Sequence, residues 1–341
     1  MTISSNRVVA ALTLCVLLCV LLFSGITHAA TTLKIATITP EGSQWMKEMR
    51  AGAAEIKERT EARVEVKYFG GGIMGNDTKV LGQIRIGRLQ GGALTPSALG
   101  SRYPDINLYG MPLVFDSEDE ATYVRQFFDE RLAAGLEEAG FVTFGFAAGG
   151  FANILSNTPV RSLDDLKGKR VWILEGDTIS YASMEALELS PVTLPLTDVL
   201  TGLQTGLIDI VGISPIAALV LQWHTKVKYI TEIPLAYSLG FMAIDKKAFN
   251  KISAEDRAIV REVMTAIYTK FDEANFEDNR GARDALVNSG IEPVEFDAEE
   301  LARIREVMQK SNRALGAEGE FTVELYDEMM SHIEEYRSEH P

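Results

Sequence analysis

The chain has 341 residues, of which 46% are hydrophobic, and its formal net charge is −15 at neutral pH. This length and composition suit two α/β domains of ordinary size. A surface this acidic repels nucleic acid and anionic lipid, so we expect neither as a partner.

The first residues have the order of a secretory signal peptide. A polar start with one charge, Arg7, is followed by an apolar run over 8–23 and by small residues at Ala29 and Ala30. This order predicts a cleaved leader over residues 1–30 and a periplasmic location for the mature chain. The alternative is an uncleaved membrane anchor, but the apolar run is shorter than the roughly 20 residues that a spanning helix needs.

The residues that usually carry covalent chemistry are scarce. Both cysteines, Cys15 and Cys19, fall within the predicted leader, so the mature chain has neither a disulfide nor a thiolate. Of its histidines, His224 is far in sequence from His332 and His340 in the tail, and no nucleophile motif accompanies them. The sequence therefore predicts no enzymatic activity, no metal site and no cofactor.

Strand and helix patterns alternate along the mature chain. The first half predicts strands over 33–38, 63–69 and 91–94, a helix that begins after Ser43, and another over 77–87. The pattern restarts with predicted strands over 169–174, 192–194 and 208–213 and helices over 179–187 and 197–204. Such alternation is typical of parallel sheets, and its restart indicates two α/β lobes joined by crossing strands.

A long helical pattern runs from Ser253 to about residue 288 and is followed by helical patterns over 298–315 and 322–336. A helix of that length would extend about 54 Å, which exceeds one small domain, so we expect it to lie across both lobes. We assign 31–149 with 242–283 to lobe I, and 150–241 with 284–341 to lobe II.

The segment over 70–75 satisfies the G-x-G-x-x-G spacing of a dinucleotide-binding turn. Such a site also needs an acidic residue about 20 positions later, and none occurs between Asp77 and Asp105. We therefore interpret the glycines as a flexible turn.

Three further motifs carry a family resemblance. They are G-G-F over 149–151, R-S-L-D-D-L-K-G over 161–168 and L-Q-T-G-L-I-D over 203–209. In this order they resemble the DctP-type receptors of TRAP (tripartite ATP-independent periplasmic) transporters, along nearly all of the mature chain. The resemblance implies two lobes that close over a small ligand through a hinge. It also implies partnership with membrane permease subunits and, in some systems, with a periplasmic tetratricopeptide-repeat protein.

The positions that bind the ligand in this family differ here. The arginine that holds the ligand's carboxylate corresponds to Trp172, and a second arginine corresponds to Ala152. Leu196 replaces a typical aromatic residue, and Ser214 replaces an asparagine. Since an unpartnered carboxylate costs several kcal/mol to bury, these changes predict an apolar or amphipathic ligand.

Two alternatives stay open at this point. Arg170 lies two residues before Trp172, so on a strand it would face the same way. With Arg170 as the clamp, the chain would be an ordinary receptor for dicarboxylates or sugar acids. A ligand carrier for a signalling receptor would have the same fold and the same site.

The remaining candidates follow strand ends, where α/β folds place their ligands, or lie in and near the family motifs. They are Thr39, Trp45, Thr95, Pro96, Phe151, Asn153 and Trp223.

Overall fold

A computed structural model describes residues 30–340, so nearly all of the predicted leader lies outside the described residues. The ten strands are β1 Thr31–Ala36, β2 Val64–Phe69, β3 Gly91–Leu94, β4 Phe141–Val142, β5 Ala147–Ser156, β6 Trp172–Leu174, β7 Val192–Leu194, β8 Ile210–Ile213, β9 Tyr229–Asp245 and β10 Glu292–Val294. The helices are α1 Gln44–Arg59, α2 Asp77–Arg85, α3 Pro96–Gly100, α4 Glu118–Glu138, α5 Thr178–Ala186, α6 Val199–Thr205, α7 Pro215–Val220, α8 Lys246–Phe249, α9 Ala254–Asn288, α10 Ala298–Glu318 and α11 Val323–Glu339.

One eight-stranded sheet runs through both lobes. Its strand order is β2-β1-β3-β9-β5-β8, with β4 and β10 also paired to β9. β1 is parallel to β2 and β3, which confirms the predicted parallel start of the fold. The mixed α/β architecture with two lobes is the predicted one.

The lobes are joined by two long strands, β5 and β9. β9 pairs with β10 near its start and with β3 and β4 near its end, and it pairs with β5 from Tyr229 to Gly240. The register of β5 against β9 shifts between Ala148 and Gly150 and again between Ala152 and Ile154. Such irregularities bend a strand, and the first one lies at the predicted boundary between the lobes.

The long helix α9 follows the predicted pattern closely. Ser253 accepts a hydrogen bond from the Asp256 backbone at its N-terminus. Along its length α9 packs on α1 in the first lobe and on α7 in the second. Its buried Asn279 donates to the carbonyl of Gly149 and accepts from the backbone of Ile216, so it connects the crossing strand to the second lobe.

The C-terminal helix α11 differs from the predicted division. It packs on α4, and its buried Tyr326, Met329 and Ile333 belong to the hydrophobic core of the first lobe. Residues 323–339 therefore do not follow the assignment of 284–341 to lobe II, whereas the other proposed boundaries stay predictions. No helix within residues 30–340 combines the length and hydropathy needed to cross a bilayer.

Candidate functional site

A cavity of about 420 Å³ lies between the lobes. Its first-lobe wall comes from segments that follow β1 and β3, and includes Ile38, Thr39, Trp45, Thr95 and Pro96. Its second-lobe wall includes Trp172, Leu174, Leu196 and Ser214. Most of these side chains are apolar, so the cavity offers contact area more than hydrogen bonds.

The cavity continues into the interior of the second lobe. There it separates the sheet from α5 and α10, and we call this part the second-lobe chamber. Its wall is mostly aliphatic, sulfur-containing or aromatic and includes Ile154, Met184, Leu187, Ile210, Ile233, Phe296, Leu301, Ile304 and Met308. From α5, Ser180 and Ser183 also line the cavity. The opposite face of the same sheet packs against a separate core that contains Leu155, Val199, Val211 and Trp223.

Trp172 belongs both to the cavity wall and to that opposite core. Its indole Nε1 donates to the carbonyl of Leu194 at 2.9 Å, and its ring meets Trp223 edge to face at 5.3 Å between centroids. The ring is 8% exposed. Because its only donor is already used, Trp172 presents an apolar surface to the cavity.

Arg170 does not lie on the cavity wall. It precedes β6, and its guanidinium donates to both carboxylate oxygens of Asp209, at 2.8 Å and 2.7 Å. The side chain is 53% exposed. This placement corrects the expectation that Arg170 could serve as a carboxylate clamp, because the pairing with Asp209 holds it at the surface.

Three other candidates also lie off the wall. Ala152 and Ile154 face the cavity from β5, so the alternation of a strand turns Phe151 and Asn153 away from it. Trp223 is 2% exposed and packs in the second-lobe core. The family motif indicated all three residues over 151–153. In a strand, however, only alternate side chains can face a ligand on one side.

The other eight candidates line the cavity: Thr39, Trp45, Thr95, Pro96, Ala152, Trp172, Leu196 and Ser214. Their contact with a ligand stays a prediction.

A second cavity, also of about 420 Å³, adjoins the first and shares part of its wall, including Ile38, Leu174 and Leu196. We call it the vestibule. Four carboxylates line it, those of Asp77, Glu175, Asp177 and Glu320. Sequence reasoning missed them, although Asp77 and Asp177 follow strand ends, the same signal that selected Thr39 and Thr95.

Each vestibule carboxylate accepts a hydrogen bond from a neutral donor. Asp77 accepts from the Thr95 hydroxyl at 2.7 Å and Asp177 from the Ser180 backbone at 2.9 Å. Burial raises the pKa of both Asp77 and Asp177, and their hydrogen bonds only partly oppose this. Such a shift is typical of carboxyl groups that lack a nearby cation.

The two glutamates accept from side chains of other elements. Asn76 donates to Glu175 at 2.8 Å, and Thr178 donates to Glu320 at 2.6 Å. None of the four vestibule carboxylates forms a salt bridge within residues 30–340. In the same range no lysine, arginine or histidine side chain lines either cavity.

Arg125 is buried behind the wall residue Tyr237. Its guanidinium donates to Asp272 at 2.6 Å, to Asp129 at 2.8 Å and to the carbonyl of Phe146 at 3.1 Å. Two carboxylates therefore neutralise it within the first lobe, and its donors do not face the ligand cavity.

The lobes touch at the rim of the vestibule. The bond from Asn76 to Glu175 connects the N-terminus of α2 to the segment before α5. Nearby, a Cβ atom added at Gly72 would lie 3.1 Å from the Thr197 methyl group. The glycine segment over 70–75 thus forms a turn, and part of it faces the opposite lobe.

Comparisons with known proteins all indicate the same protein family. The model for DctP, the bacterial extracellular solute-binding proteins of family 7, matches residues 35–318. The C4-dicarboxylate-binding periplasmic protein DctP of Rhodobacter capsulatus is 26% identical over 286 residues, which is 80% of this chain and 82% of that protein.

Two solved structures share the fold. The sugar acid binding protein DctPAm of Advenella mimigardefordensis, in complex with galactonate, is 19% identical with a TM-score of 0.82, covering 90% of this chain and 98% of that one. A TRAP periplasmic solute-binding protein of Xanthobacter autotrophicus with bound β-D-galacturonate is 20% identical with a TM-score of 0.79, covering 88% and 98%.

Proposed function

Since the chain belongs to the bacterial extracellular solute-binding proteins of family 7 (DctP), which are transport receptors and not enzymes, we propose that it serves a TRAP transporter. In this role it captures an apolar or amphipathic organic molecule between its lobes in the periplasm and delivers it to the membrane permease subunits. The observation that carries the choice of ligand is the absence of a basic side chain from both cavities, within residues 30–340.

The transport role is supported by the relatives, among which is a TRAP periplasmic solute-binding protein. The predicted leader over residues 1–30 agrees with export to the periplasm. The two-lobed fold supports capture by closure, since β5 and β9 form a hinge and the cavity wall comes from both lobes. A ligand that contacts both lobes favours the closed arrangement.

The choice of ligand follows from the cost of burying charge. The relatives bind galactonate and galacturonate, which are acids. A carboxylate taken out of water needs a cation or several strong donors to offset its lost hydration. Here Trp172 and Ala152 stand where the family resemblance implies arginines, Arg170 pairs with Asp209 at the surface, and Arg125 is already neutralised. An apolar ligand would instead gain from the aliphatic wall.

A thermal-shift panel on the mature protein tests this proposal. The protein is refolded to remove any ligand carried through purification, and then mixed with octan-1-ol, decan-1-ol, galacturonate or succinate. A ligand present at 100 times its Kd stabilises by about 2.7 kcal/mol, so we expect the alcohols to raise Tm by several degrees. A rise with galacturonate or succinate alone would contradict the proposal.

A further inference from the structure

The two adjoining cavities differ in the polarity of their walls, and each wall indicates the chemistry of one end of the ligand. We propose that the solute places an apolar chain or ring in the second-lobe chamber and a polar end without negative charge in the vestibule, a protonated amine being the best match. This inference rests on the proposed function and adds the position and charge of the polar end.

The chamber provides the first part of the argument. Met184 of α5 and Leu187, which directly follows α5, line the cavity together with Ile304 and Met308 of α10 beneath the second-lobe sheet. Protein interiors are normally packed with few voids larger than a water molecule. A space lined mainly by apolar side chains holds water poorly and favours an apolar guest. We therefore assign the chamber to the apolar part of the ligand.

Continuity between the cavities provides the second part. Both are lined by Ile38, Leu174, Asp177, Ile179 and Leu196. A molecule seated in the chamber and extending toward the first lobe therefore passes Asp177 and enters the vestibule. The ligand would then contact the two lobes at once, as closure requires.

Charge provides the third part. The vestibule carboxylates accept from a threonine hydroxyl, a backbone amide, an asparagine amide and another threonine hydroxyl, all of them neutral. Carboxylates in a partly desolvated space attract a cation and repel an anion more strongly than in water. A carboxylate or phosphate end would meet four carboxylates and no cationic side chain there, whereas an ammonium would supply the missing positive charge and up to three donors.

Three probes with the same chain length test this inference: octylamine, octan-1-ol and octanoate, titrated into the refolded protein by calorimetry at pH 7.5. We expect octylamine to bind at least tenfold more tightly than octanoate, with octan-1-ol between them. Octanoate binding as tightly as octylamine would overturn the charge assignment but leave the proposed function standing. Binding of galacturonate, with no binding of any C8 probe, would overturn both.

Two substitutions test the polar end. Asp177→Asn and Asp77→Asn keep oxygen acceptors for the Ser180 backbone and the Thr95 hydroxyl, and asparagine caps a helix as well as aspartate does. We expect each to weaken octylamine about tenfold and to leave octan-1-ol nearly unchanged. Asp164→Asn, which removes an exposed carboxylate outside both cavities, is the matched control. Equal losses for the amine and the alcohol would overturn the inference.

A third substitution tests the chamber. Met184→Trp adds bulk where the α5 side chain borders the unfilled space, and Met184→Leu keeps the volume approximately constant. We expect the tryptophan variant to weaken all three probes by tenfold or more without changing their order, while the leucine variant binds as the parent does. If Met184→Trp fails to fold, Met184→Phe replaces it. A folded, bulkier variant that binds octylamine normally would overturn the chamber assignment.

Discussion

Two groups of buried charge in this protein have opposite arrangements. Around Arg125, one guanidinium meets the carboxylates of Asp129 and Asp272, and the charges compensate within the first lobe. In the vestibule, Asp77 and Asp177 have only neutral hydrogen-bond partners. The first arrangement stabilises the fold beside the hinge. The second leaves carboxylates facing a cavity without a cationic partner. This arrangement does not stabilise the fold, and a bound ligand can supply the missing positive charge.

The largest expected effect is on stability, and it comes from removing Arg125 from its pairing with Asp129 and Asp272. Arg125→Met leaves Asp129 and Asp272 without their buried partner, so we expect a loss of about 3–5 kcal/mol in the free energy of unfolding. Urea denaturation measures it. Arg170→Met is the matched control, because Arg170 forms an exposed ion pair with Asp209 and should cost less than about 1 kcal/mol. Equal costs would contradict the contrast between buried and exposed pairs.

The next prediction distinguishes a tryptophan on the cavity wall from a tryptophan in the second-lobe core. Trp172→Phe removes part of an apolar surface that faces the cavity, so we expect octan-1-ol to bind more weakly, on the order of tenfold. Trp223→Phe makes the same chemical change in the neighbouring ring, which lies off the cavity wall, and should leave the affinity nearly unchanged. Calorimetric titration of both variants with octan-1-ol measures the two affinities. A larger loss from Trp223→Phe would show that Trp172 acts only through packing.

A third change tests the rim contact. In the Asn76→Asp variant the oxygen that caps α2 is retained, but the donor to Glu175 is replaced by a second negative charge. We expect weaker closure and release of octan-1-ol about fivefold faster, since repulsion between exposed charges is modest. Stopped-flow tryptophan fluorescence gives the rate. Asn76→Ser keeps a cap without adding charge and should fall between the two; an unchanged rate in both variants would mean that the rim contact does not restrain the lobes.

The smallest effect concerns Glu118, which accepts from Asn275 beside the hinge. Desolvation raises the pKa of Glu118 to about 6 from an ordinary 4.5. A raised pKa means that the folded state binds the proton more tightly, so the stability contribution is full below pH 4.5 and is lost as the pH rises to about 6. We expect Glu118→Gln to remove this part of the pH dependence and to raise Tm at pH 7 by roughly 2 °C or less. Thermal melts between pH 4 and 7 measure it, and parallel curves for the parent and the variant would contradict the assignment.

Local patterns predicted most of the regular elements. The strand over 91–94 and the long helix from Ser253 to 288 agree with β3 and α9 almost to the residue. Three long elements, α4, β5 and β9, were not predicted. In α4 the buried positions include Glu120 and Arg125, which interrupt an apolar stripe. β9 contains Pro234 in its interior, and proline normally indicates the end of a strand.

The sequence predicted those site residues that local patterns indicate, but not those that depend on contacts between distant segments. Strand ends indicated Thr39 and Thr95, and the family motifs indicated Ala152 and Trp172, all of which lie on the cavity wall. The motifs did not indicate which face of a strand each residue occupies, so Phe151 and Asn153 were misplaced. The pairing of Arg170 with Asp209 depends on contact between segments 39 residues apart, and the second-lobe chamber depends on the packing of α10. Neither can be read from local patterns.

Above all, we propose that this receptor accepts its solute without a carboxylate clamp. The most direct measurement is to purify the protein from its native periplasm, denature it, and identify the released small molecule by mass spectrometry in both ion polarities. We expect an apolar or amphipathic compound without a carboxylate or phosphate group, present at near-stoichiometric amount and absent from a Met184→Trp preparation. Recovery of a sugar acid or a dicarboxylate would contradict the claim.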